Sequence, residues 1–249
     1  MKLFKIVLIG LLVVSCAEET KKALNTQEIV DKAIEVSGGK LYKKSTFSFD
    51  FRDKSYVLTK DTSTNKRLMI RMFSSDSSQI VDTKGPNYFI RTINEEKVEI
   101  PDSLAHKYAN SINSVHYFAY LPYGLNDAAV KKKFISKTKI KGKDYYLIQV
   151  TFAEENGGDD FDDVYLYWFN KETFKPDFLA YEFHVDGGGM RFREAFNERY
   201  INGIRFVDYK NYKPGEPISI FDIGAHFEAN KLEFLSEIAL TNIEVEQTN

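Results

Sequence analysis

Four aspartates crowd one short stretch: Asp159, Asp160, Asp162 and Asp163 follow Asn156-Gly157-Gly158. Carboxylates on a glycine-rich loop can wrap calcium, which takes several oxygen ligands in flexible geometry. The spacing lacks the alternating acidic positions, central glycine and terminal Glu of an EF-hand loop, and a solvated acidic hairpin tip is the other reading. A second group is basic. After Gly187-Gly188-Gly189, period-two alternation sets Arg191, Arg193, Asn197 and Arg199 on one strand face, with Phe192, Phe196 and Tyr200 on the other. Guanidiniums hold a carboxylate or phosphate by paired hydrogen bonds. A salt-bridge ladder to Glu182, Asp186, Glu194 and Glu198 would employ the same arginines structurally. The histidines, His106, His116, His184 and His226, form neither an H-x-H nor an H-E-x-x-H pattern, so they give no support for zinc. His116 and His184 are expected to be packed side chains. There is no G-x-S-x-G, Walker loop or dinucleotide fingerprint, and the triple glycine precedes a strand, which makes it a turn and not a phosphate cradle. No cofactor is implied.

Cys16 is the sole cysteine, so the chain has no internal disulfide and no second thiol for a metal or a nucleophile. Its surroundings assign it another role. Lys2 and Lys5 precede an apolar run from Ile6 to Val14, far shorter than the ~20 residues of a membrane-spanning helix, which reads as a secretory signal. The run ends in Val13-Val14-Ser15-Cys16, which resembles the lipobox of bacterial lipoprotein signals. That resemblance implies cleavage before Cys16 and lipid on its sulfur, and more than one acyl chain makes a stable anchor. The expected organisation is a signal peptide over 1–15, a lipidated tether over 16–24 and a single α+β domain over 25–249. Its expected location is the bacterial envelope, at the outer membrane. Glu18-Glu19 fits either an acidic surface-export signal or ordinary tether.

Without Lys2 and Lys5 the chain carries 32 basic against 36 acidic residues and no basic run, which disfavours nucleic acid and a polybasic hold on anionic lipid. The expected partners are therefore the membrane, through the anchor, and a lipid or other hydrophobic small molecule.

The elements follow from periodicity. Asn25 and Glu28 form a capping box ahead of the stripe Ile29, Val30, Ala33 and Ile34, and Gly38-Gly39 end this helix. Phe47, Phe49 and Phe51 then alternate with polar residues, and strand-like runs follow at 55–61, 66–74, 77–83, 87–94 and 97–100, too close for crossover helices. Leu104, Tyr108, Ile112, Val115 and Ala119 mark a second helix, with Asp102 as N-cap. Strands resume at 134–141, 144–153, 163–170, 177–186, 190–200, 203–212 and 238–245. In the strand 164–169, Val164, Leu166 and Trp168 make one apolar face and Tyr165, Tyr167 and Phe169 another. A half-wet antiparallel sheet would alternate cleanly, so helices or an apolar ligand must cover the second face.

This order (helix, strands, helical insert, more strands) resembles the periplasmic lipoprotein-carrier superfamily of LolA-like and LppX-like proteins over roughly residues 25–245. It also resembles envelope lipoprotein domains of unknown function. The resemblance implies a strongly curved antiparallel sheet, an unclosed barrel lidded by helices, with a cavity for acyl chains. It rests on no shared short motif and carries over no residue. A lipid anchor and the number of strands after the insert depart from the soluble carriers. Trp168, Tyr165, Tyr167, Arg191, Arg193 and Arg199 are the candidate ligand-binding residues. Three roles stay open: a lipid-binding module, a structural envelope protein with a filled core, and a hydrolase or lyase whose residues no motif reveals. Cys16→Ala is expected to leave the protein unprocessed or soluble. Persistence of that variant in the membrane fraction after a high-salt wash would refute the anchor.

Overall fold

A computed structural model describes residues 24–155, 162–184 and 187–247. The fold is mostly antiparallel β with few helices. Helix α1 (Thr26–Val36) leads into β1 (Ser45–Phe51), β2 (Lys54–Lys60), β3 (Arg67–Ser75), β4 (Ser78–Lys84), β5 (Phe89–Ile93) and β6 (Glu96–Val98). Helix α2 (Asp102–Ala119) is the insert. Then come β7 (Val130–Ile140), β8 (Lys143–Phe152), β9 (Val164–Asn170), β10 (Pro176–Phe183), β11 (Gly189–Ile201) and β12 (Ile204–Pro214). Helix α3 (Ile223–Glu228) precedes β13 (Leu232–Ile238) and β14 (Thr241–Gln247). Among the described residues no helix is long and apolar enough to cross a membrane.

The strands form two seven-stranded sheets, neither closed nor strongly curled, in the orders β14-β1-β2-β3-β4-β5-β6 and β13-β12-β11-β10-β9-β8-β7. This corrects the expectation of one strongly curved sheet. The expected strand 238–245 corresponds to β14 of the first sheet, and β13, which the periodicity did not announce, precedes it in the second. They part at Ala239-Leu240, where buried Leu240 gives its N–H to Asp208 Oδ1 (3.0 Å) and its carbonyl to Arg199 (2.7 Å). Backbone groups held by side chains in this way cannot continue a ladder.

The Asn25 capping box is present, with Asn25 Oδ1 accepting from the Glu28 N–H at 2.9 Å and Glu28 accepting from the Asn25 N–H at 2.7 Å. At α2 the cap expectation fails. Pro101 occupies the N-cap without a side-chain bond, and Asp102 lies in the first turn. Leu104 is exposed, so the buried stripe of α2 begins at Ile112 and continues through Val115, His116 and Ala119.

The central strands of the second sheet pack apolar residues on both faces. Its inner face packs Tyr167, Phe169 and Leu179 against Ile29, Val30 and Ala33 of α1. Its outer face packs Leu166, Trp168, Phe178 and Phe192 against Ile223 and Phe227 of α3, a short helix that the periodicity did not announce. Trp168 is 2% exposed, with its ring centroid 5.6 Å from that of Phe192. A Cβ on Gly224 would come within 3.0 Å of the indole, so glycine lets α3 pass directly over it.

His116 is buried among Phe49 and Tyr56, with Nδ1 3.0 Å from the Tyr120 hydroxyl. His184 lies beyond the end of β10 and is exposed, contrary to expectation.

Trp168→Ala is expected to cost ~3–5 kcal/mol, the usual range for truncating a buried large aromatic. A loss below ~1 kcal/mol in chemical denaturation would place the ring at the surface. For His116, burial pushes the imidazole pKa down to about 3, with Arg67 and Lys84 adding to the shift. The folded protein therefore keeps it neutral where the unfolded chain takes up a proton. Stability present above the ordinary value of 6.5 is lost as pH falls toward 3, by up to ~1.4 kcal/mol per pH unit. In His116→Gln the acid-side slope of unfolding free energy should be shallower by about one proton. Identical slopes in the two proteins would exclude this source.

Candidate functional site: a cavity between the second sheet and helix α2

A cavity of about 600 Å³ opens between the inner face of the second sheet, α2 and the end of β1. Successive residues on a strand point to opposite faces, and that rule decides which candidates reach it. Tyr165 and Tyr167 of β9, Leu179 and Tyr181 of β10 and Arg191 and Arg193 of β11 form the sheet wall. Asn211 of β12 and Leu235 of β13 extend it toward the sheet edge. Tyr117 and Phe118 of α2 lie across from them, and Phe51 and Arg52 close one side.

Antiparallel pairing sets the wall in rows. One row runs Ile148, Tyr167, Leu179, Arg193, Asn211 and Ser236 from β8 to β13. A second, two residues nearer the turn that joins β10 to β11, runs Val150, Tyr165, Tyr181 and Arg191. On the opposite side Ala195, Tyr209 and Ile238 continue into the core that α1 covers. Arg193 thus sits at the inner end of the cavity and Arg191 closer to the turn.

The two arginines differ in how they are held. Arg193 donates from Nη2 to the Tyr181 hydroxyl at 2.9 Å, and its guanidinium lies 5.1 Å from the Tyr181 ring and 5.4 Å from that of Phe118. Its Nε is enclosed with no hydrogen-bond partner, as is Oδ1 of its cross-strand neighbour Asn211. Arg191 bonds the carbonyl of Met190 at 2.8 Å and stacks 5.1 Å from the Phe183 ring. Neither has a carboxylate within ion-pair distance among the described residues. The salt-bridge ladder exists without them, as Lys141–Glu194 and as Lys175–Glu198–Arg205. Asp163, 4% exposed, is the carboxylate of the lining and lies 3.5 Å from the Tyr165 hydroxyl. Burial pushes the Tyr117 and Tyr167 hydroxyls well up, so both stay neutral donors.

Two candidates fall elsewhere. Trp168 points to the outer face, into the core beneath α3. Arg199 is separated from Arg191 and Arg193 by a bulge between Phe196 and Arg199, where Asn197 takes φ +50°. The bulge puts Arg199 on the Phe192 and Phe196 face, bound to Asp208 at 2.9 Å. The expectation that all three arginines share a face is corrected by that extra residue. Of the aspartates, Asp159 and Asp160 lie outside the described residues, while Asp162 is exposed and Asp163 turns into the cavity. Among the described residues no cluster could hold a metal ion. His184 is not in the cavity lining.

Asn211, Tyr117, Phe118 and Leu235 are cavity residues that sequence reasoning did not single out. Asn211 becomes notable only through its pairing with Arg193. Leu235 projects from an irregularity in β13, where Asn211 pairs Ser236 but Tyr212 pairs Phe234.

The family described as "Family of unknown function (DUF6503)" matches residues 1–239. No curated protein matches the chain. The structure is similar to a LolA superfamily protein of Nitrosomonas europaea, at 12% identity over 91% of this chain and 94% of that one, with a TM-score of 0.47. It is also similar to a DUF1329 family protein of Desulfovibrio piger, at 9% identity over 88% and 92%, with a TM-score of 0.46.

Proposed function

We propose that this chain, which belongs to the DUF6503 family, is an envelope lipoprotein, anchored through Cys16, that holds a hydrophobic anionic ligand between its second sheet and α2. The observation that carries this reading is a cavity of about 600 Å³ whose wall is largely aromatic and aliphatic and includes two arginines without carboxylate partners among the described residues. Ligand sites have this volume, with mostly apolar linings and a few convergent polar groups. Charge-assisted hydrogen bonds gain strength where water is partly excluded, which suits Arg191 and Arg193 to an anionic group on an otherwise apolar molecule.

Native mass spectrometry of the mature chain, followed by solvent extraction, should reveal a co-purifying amphiphile. Replacing Arg191 and Arg193 together by Gln should weaken binding of an anionic amphiphile at least ~10-fold, since each charged hydrogen bond is worth ~1.5–3 kcal/mol. The melting temperature should barely move. An unchanged affinity in the double variant would defeat the reading.

A further inference from the structure

Resting on the cavity reading above, we infer that the ligand is a single-chain carboxylate of the fatty-acid type, bound head-inward, with its carboxylate on the Nε edge of Arg193 and its alkyl chain running outward along Phe118, Phe152, Tyr165 and Phe183. Three observations lead there. The first is where charge is missing. Arg193 stands in the row next to the closed core, held by Tyr181 at 2.9 Å and flanked by the rings of Tyr181 and Phe118. No described carboxylate pairs with it, and its Nε is enclosed without a partner. Enclosed polar and charged groups are costly unless paired, so the inner end of the cavity lacks an anion. Arg191, by contrast, already bonds the carbonyl of Met190 and stacks on Phe183 nearer the turn.

The second is the protein's own use of arginine. Arg71 and Arg91 each grip Asp82 side-on through Nε and Nη2, at 2.6–3.1 Å. Nη2 of Arg193 is already directed at Tyr181, so a small planar carboxylate taking the same edge needs only a modest shift of the side chain. A bulky phosphodiester between the Phe118 and Tyr181 rings would need much more. The third is capacity. A cavity of about 600 Å³ lies within the ~300–1,000 Å³ of sites that take one small ligand, which suits a single chain.

The test uses delipidated mature chain with oleate and its uncharged methyl ester as probes. Oleate should bind at least ~10-fold more tightly than methyl oleate to the native protein. Arg193→Gln should abolish that preference while retaining methyl oleate affinity, which also certifies that the variant is folded. Independently of any variant, stearate carrying a nitroxide at carbon 16 should be reduced by aqueous ascorbate faster than stearate labelled at carbon 5. A reversed nitroxide gradient, or equal affinity for oleate and ester, would overturn the head-inward carboxylate while leaving an apolar binding site intact. Failure of both oleate and ester to bind would overturn the site itself.

Discussion

The carboxylate of Asp208 holds the place where the two sheets meet. It is 3% exposed and accepts hydrogen bonds from Asn197 Nδ2 at 2.6 Å, Arg199 Nη2 at 2.9 Å and the Leu240 N–H at 3.0 Å. Those donors belong to the bulge of β11 and to the short link between β13 and β14. A single acidic side chain therefore fixes where one strand bends and where the chain leaves one sheet for the other. Arg199 completes the junction by donating to the Leu240 carbonyl at 2.7 Å, and Asn202 binds the Val245 carbonyl at 2.6 Å. An ionised group this enclosed is tolerated because every donor aimed at it is satisfied. With the junction set, β14 pairs with β1, and the end of β1 brings Phe51 and Arg52 to the cavity.

Helix α2 serves both sheets. Toward the first sheet it is seated by polar contacts: Asp82, fully buried, is gripped by Arg71 and Arg91, whose guanidiniums meet Ser111 at 3.2 Å and the Tyr108 ring at 4.0 Å. Farther along, His116 and Ala119 sink into aromatic core, and Tyr117 and Phe118 face the cavity. Asp82 matters more for alignment than for net stability, since a buried ion pair seldom outperforms apolar packing, whereas losing one partner strands a buried charge. The same logic separates half-buried Arg193 from the buried Arg71 and Arg205. They have their carboxylates in the fold, and it does not among the described residues.

What the sequence determined by itself rests on local rules. Asn25 with Glu28 starts α1 because the cap bonds span three residues. The alternation in Phe47, Phe49 and Phe51 marks β1, and Asn202-Gly203 makes its hairpin because both residues tolerate positive φ, here +46° and +82°. The two apolar faces of β9 required two covers, and both exist. Tertiary structure alone decided which face borders the cavity, because Tyr167 and Trp168 are equally apolar neighbours pointing opposite ways. It also decided the fate of the arginines. Strict alternation unites Arg191, Arg193 and Arg199, but one bulged residue at Asn197, stabilised by Asp208 from the neighbouring strand, turns Arg199 away. The division of residues 232–247 between two sheets depended likewise on side chains of β11 and β12, more than thirty positions distant, bonding the backbone at Leu240. Periodicity records which way a residue faces relative to its neighbours in the chain. Which surface it then meets is set by pairings between strands, and those are not local.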